Sequence, residues 1–66
     1  MNMNELRETL PDVQVKVGKE IITGRISGAK LRFPIVVIPF QGQELRREFA
    51  WETILNSVNS GRPLLI

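Results

Sequence analysis

The palindrome Phe33-Pro34-Ile35-Val36-Val37-Ile38-Pro39-Phe40 constrains this chain more than any other stretch: four β-branched residues lie between two prolines, which lie between two phenylalanines. The β-branched residues favour an extended backbone, and each proline removes one ladder donor. Successive amides along a strand point to opposite edges, so prolines at 34 and 39 take one donor from each edge rather than two from the same one. Clean pairing is therefore expected only over Ile35 to Ile38. The same alternation sets Phe33, Ile35 and Val37 on one face and Val36, Ile38 and Phe40 on the other. Both faces are apolar, and both require cover.

What can supply that cover is limited by size. With 66 residues the chain forms one domain at most, residues 1–66, and hides only about 60% of the surface its unfolded form exposes. Cysteine and histidine are both absent, which excludes disulfides and thiolate or imidazole metal sites, so packing or oligomerisation must suffice. The longest apolar run is far shorter than the roughly 20 residues that span a bilayer, and the first residues lack the order of a secretory signal. These features predict a soluble, cytoplasmic protein with no membrane contact.

Local patterns supply the remaining elements. Asn4 to Leu10 reads as a short helix capped by Asn4, with Met3, Leu6 and Leu10 as its apolar stripe and Pro11 as its stop. Val13-Gln14-Val15-Lys16-Val17 alternates as a half-buried strand and turns at Gly18-Lys19. Glu20 to Ser27 forms a second strand with a bend or bulge at Gly24. Ser27 to Lys30 reads as a hairpin turn, Leu31 to Phe40 as the third strand, Gln41 to Gln43 as another reversal and Glu44 to Ala50 as the fourth strand. In that strand Glu44, Arg46 and Glu48 form a wet face, and Leu45, Arg47 and Phe49 the inner one. From Trp51 the apolar spacing becomes helical through Ile54, Leu55 and Val58, which predicts a helix over about 51–59 closed by Gly61. Pro63 to Ile66 then forms a docked closing strand.

The expected fold is mainly β: a small, five-stranded, antiparallel, partly open barrel with a short N-terminal helix (about 4–10) and a short helix (about 51–59) before the last strand. Closure of this kind removes exposed strand edges. Val13-x-Val15 leading through Gly18 to Gly24-Arg25-Ile26 resembles the opening of an Sm-like barrel. The helix before the last strand is similar to the single helical turn that Src-homology-three-like barrels often place there. The resemblance spans roughly residues 4 to 40, stays at the level of fold and implies no particular function.

Charge is distributed unevenly. Glu5, Glu8 and Asp12 against Arg7 give residues 1–12 a net charge of −2, so the remainder carries +4. That surplus lies in Lys16, Lys19, Arg25, Lys30 and Arg32, opposed locally by Glu20 alone. With no histidine, cysteine or tyrosine, and with serines that lack an imidazole base, the chain is expected not to be an enzyme and to use no cofactor, metal or small-molecule substrate. Ser27 with Lys30 is turn chemistry rather than a catalytic pair.

Binding remains. The two-faced palindrome points to a protein partner or to self-association, as in an accessory or regulatory module. The alternative is a barrel that binds single-stranded RNA or DNA, with residues 16–32 on phosphates and Phe33 or Trp51 stacking on bases. The candidate surface is Lys16, Lys19, Arg25, Lys30, Arg32, Arg47 and Trp51. Phe33 and Trp51 also read as core anchors, and Arg47 as a side chain that reaches past Phe49 to water.

Overall fold

The structure, a computed structural model describing residues 1–66, runs α1 (Met3–Thr9), β1 (Val13–Val17), β2 (Glu20–Ser27), β3 (Ile35–Phe40), β4 (Gln43–Glu48), α2 (Trp51–Ser60) and β5 (Leu64–Leu65). The strands form a curled, open half-barrel in the order β4-β3-β2-β1-β5. The sheet is mixed rather than antiparallel throughout, because β5 pairs with β1 in parallel, Val15 opposite Leu64 and Lys16 opposite Leu65. Chain direction explains this. After three reversals β4 ends at the end of the sheet where β1 starts, so α2, crossing the open side, delivers the last residues to run alongside β1 in the same sense.

The prolines act as their spacing predicts. Phe49 donates its amide to the Pro34 carbonyl at 3.2 Å, which identifies the even-numbered residues of β3 as those whose backbone faces β4. Pro34 therefore lacks its donor toward β4 and Pro39 toward β2. The β2–β3 ladder covers Ser27, Ile26 and Arg25 opposite Ile35, Val36 and Val37, and stops before Pro39 would meet Thr23. On the other side pairing continues past Pro39 to Phe40 opposite Gln43, further than the expected limit at Ile38, because that side does not need the Pro39 donor. Gln41 and Gly42, both at positive φ (51° and 75°), make the two-residue turn whose twist suits a hairpin.

Gly24 marks the place where β2 changes partner. Residues 20–24 pair with β1, and residues 25–27 with β3. A Cβ at Gly24 would lie 2.8 Å from Val36 Cγ1, 3.2 Å from the Val37 carbonyl oxygen and 3.3 Å from Val15 Cγ2. The bend thus brings β1 and β3 over the same point, and a side chain there would hold them apart.

Inside the curl, Val13, Val15, Ile26, Val36, Ile38 and Leu64 meet Leu6 of α1 and Trp51 and Ile54 of α2 in one core. Each fully buried aliphatic side chain contributes about 1.5–3 kcal/mol. The helix α1 starts at Met3, and its cap lies two residues earlier than its sequence suggests. Asn2, not Asn4, is its cap: the Asn2 side chain accepts from the Glu5 amide (2.9 Å), and Glu5 accepts from the Asn2 amide (3.1 Å), a capping box. Asn59 Nδ2 donates to the Met1 carbonyl (2.9 Å), and Arg7 lies at Trp51, so the two helices run antiparallel across the open side.

The opposite face of β3 is covered as well, by charged neighbours. Val37 is 2% exposed yet stands outside the core. It lies between Arg25 and Arg46 in register, and both reach Glu44, at 3.2 and 3.6 Å. Their apolar stems screen the valine while the guanidinium groups stay in water.

Candidate functional site

The third strand does not begin at Leu31. Residues 28–34 form a loop, with Gly28 at φ 75° and a turn in which Leu31 donates to the Gly28 carbonyl (2.9 Å). Phe33, expected as a core anchor, is instead 48% exposed, and Leu31 is 49% exposed. Two facts explain the difference: Pro34, having no donor toward β4, ends the ladder and leaves Phe33 outside the strand, and the odd parity of Phe33 sets it on the Val37 side of β3, away from the core that Val36 and Ile38 enter.

The loop is nevertheless held in place. Trp51, 4% exposed at the first position of α2, donates from Nε1 to the Leu31 carbonyl at 3.0 Å. One ring thus anchors the core and ties down the loop. On its other side the Arg7 guanidinium carbon lies 5.0 Å from the ring centroid, and that of Arg32 lies 5.8 Å from the Phe33 ring. Such contacts contribute about 0.5–1 kcal/mol at exposed positions. Met3, Arg7, Arg32, Phe33, Trp51 and Glu52 line a hollow of about 480 Å³ between α1, the loop and the start of α2. Neither Arg7 nor Arg32 forms an ion pair; the two ion pairs of the structure both use Glu44.

The seven residues singled out by sequence therefore do not form one surface. Lys30 and Arg32 lie in the loop, and of the two Arg32 shares a hollow with buried Trp51. Lys16 is on the outer face of β1 between Ile21 and Leu65, and Lys19 is in the β1–β2 turn. That turn lies at the end of the sheet opposite the 28–34 loop. Arg25 is engaged by Glu44. Arg47 is exposed on β4 and donates from Nη1 to the Arg46 carbonyl (2.9 Å), which satisfies the outward reach read from its sequence. Trp51 has little face to offer a base, since core packing and Arg7 occupy it.

Arg7 is the member that sequence reasoning missed. It sits among acidic residues in a segment of net negative charge, yet it follows Met3 by four positions, the interval that places two side chains on one helix face. A second open groove, about 660 Å³, runs between α2 and β5 along Thr53, Asn56, Ser60 and Leu65, with Arg62 as its one charge. No three carboxylates gather as a cation-binding group, and no helix is long and apolar enough to cross a membrane. No protein-family model, curated protein or solved structure matches the chain.

Proposed function

We propose that this domain is a non-enzymatic binding module that engages a protein partner through the face formed by the 28–34 loop, α1 and the start of α2. The observation that carries this reading is the pair of half-exposed apolar side chains, Leu31 and Phe33, on a loop pinned by the Trp51–Leu31 hydrogen bond. A pinned loop loses little conformational entropy on association. Exposed apolar and aromatic side chains beside arginines are the composition enriched at the centres of protein interfaces. Within this reading the half-barrel is a scaffold of the Sm-like or Src-homology-three-like kind that presents a recognition loop, acting in the cytoplasm as an accessory or regulatory unit.

Single-stranded nucleic acid fits less well. A strand needs a continuous basic track and free aromatic faces, whereas the lysines at 16 and 19 are remote from the loop, Arg25 is paired and Trp51 is buried. The test is a photo-crosslinking residue at position 33, with position 14 on the outer face as control, in extracts of cells that encode the protein. Position 33 should capture a discrete protein that position 14 does not, and Phe33→Ser should release it in an untagged competition. Capture of nucleic acid alone, or equal capture at both positions, contradicts the reading.

A further inference from the structure

We propose that the occupant of the Arg7–Arg32 hollow is a short acidic peptide segment carrying a large apolar side chain next to its carboxylates. This rests on the protein-binding reading above and specifies the partner's chemistry.

Three observations converge. Glu44 occupies the guanidinium groups of both Arg25 and Arg46. Arg7 and Arg32 have no such partner and donate no hydrogen bond, although both border the same hollow. Each guanidinium instead lies against an aromatic ring, which orders the group while leaving its N–H edge available. A planar carboxylate matches that edge through two parallel hydrogen bonds.

The walls provide the second element. Phe33 and half-buried Met3 make one part of the hollow apolar, so a leucine or phenylalanine adjoining the acid would be removed from water at the same time. The third element selects a peptide over a polyanion. Glu52 stands on the same rim, at the first turn of α2. A nucleic-acid strand spaces negative charge along its whole length and would have to place phosphate beside this carboxylate. A peptide meets the arginines with its acid and crosses Glu52 with a neutral residue. Like charge at the rim thus acts against the wrong ligand. Arginine clusters that read acidic motifs use the same physics.

The test uses the whole protein and its sole tryptophan, which lies in the hollow. Three probes are titrated: a short peptide with glutamates flanking a Leu-Phe pair, the same peptide with lysines for glutamates, and a uridine oligonucleotide of similar length. The acidic peptide should change Trp51 emission and shift the amide resonances of Arg7, Arg32 and Phe33, and should bind at least about tenfold more tightly than the basic one. Arg32→Glu, an exposed loop substitution, should keep the fold with a melting temperature lowered by no more than about 8 °C through loss of the Phe33 contact, weaken the acidic peptide about tenfold or more and strengthen the basic one. The proposal is overturned by indifference to peptide charge, by an Arg32→Glu variant that binds both peptides as before, or by shifts confined to the Lys16–Lys19 end. It is also overturned by oligonucleotide binding at these residues in place of the peptide, or by emission changes that follow protein concentration alone, which indicate a second copy as occupant. A protein captured at position 33 alongside a failed peptide titration rejects this chemistry and leaves the broader reading standing.

Discussion

Replacing Gly24 with alanine tests the geometry that curls the sheet. Two effects oppose one another. Gly24 is not at positive φ, so alanine fits the backbone conformation and stabilises by about 0.4–1 kcal/mol through the unfolded chain. Against this, its Cβ would lie 2.8 Å from Val36 Cγ1 and 3.2 Å from the Val37 carbonyl. Val36 is fully buried, with no space into which to turn, and the carbonyl belongs to a paired strand. Overpacking of this kind costs typically about 1–3 kcal/mol. The second effect wins by about 1–2 kcal/mol, a large share of the ~3–10 kcal/mol expected for a chain of this size. It should lower the melting temperature by about 5–15 °C. Urea unfolding followed by Trp51 emission measures it. Val36→Ala, which alone costs about 2–3 kcal/mol, removes the atom that the new Cβ meets. The double variant should therefore be about 1 kcal/mol less destabilised than the two single changes together. A Gly24→Ala protein as stable as the parent, or strict additivity in the cycle, would refute the close approach of β1 and β3.

Other substitutions examine separate links. Val36→Asp should unfold the domain, because it places an unpaired charge in the core; Val37→Asp, flanked by Arg25 and Arg46, should stay folded with a lowered, salt-sensitive melting temperature. Circular dichroism distinguishes the two, and equal loss of structure would show that the arginines do not face position 37. Trp51→Phe removes the Nε1 donor to Leu31 and should cost about 1–3 kcal/mol, with amide exchange rising most in residues 28–33; a uniform rise across the sheet would mean that the loop is not held by this bond. Asn2→Ala should cost about 0.5–2 kcal/mol through loss of the capping box, seen as faster exchange in the first turn of α1, and no change would place the cap elsewhere.

Much of the fold is legible along the chain because its signals are local. Valines alternating from 13 to 17 and the helical spacing of Trp51, Ile54 and Val58 need no knowledge of the rest of the molecule. The proline parity also transfers directly, since donor direction follows from residue number alone. The parallel placement of β5 does not. It depends on where α2 sets down the chain, and nothing within Pro63-Leu64-Leu65-Ile66 encodes its partner. The loop at 28–34 is hidden for a related reason: Leu31 and Phe33 have the composition of a strand, and what excludes them is a missing donor at Pro34 toward a β4 that comes later in sequence. The candidate site is the least legible part. Arg7 and Arg32 are separated by the whole of β1 and β2; the antiparallel crossing of α1 and α2 brings Arg7 to Trp51, and the loop tied to Trp51 brings Arg32 to the same hollow. Charge alone points instead to the run from Lys16 to Arg32, which the fold divides between opposite ends of the sheet.

Recognition by the proposed loop face, rather than by the basic residues elsewhere, is tested by comparing two paired variants against the partner captured at position 33. Arg32→Glu with Phe33→Ser should abolish association in a protein that still melts cooperatively within about 8 °C of the parent, while Lys16→Glu with Lys19→Glu leaves association intact. The reverse pattern, with association surviving the first pair and lost with the second, would place recognition at the Lys16–Lys19 end of the sheet instead.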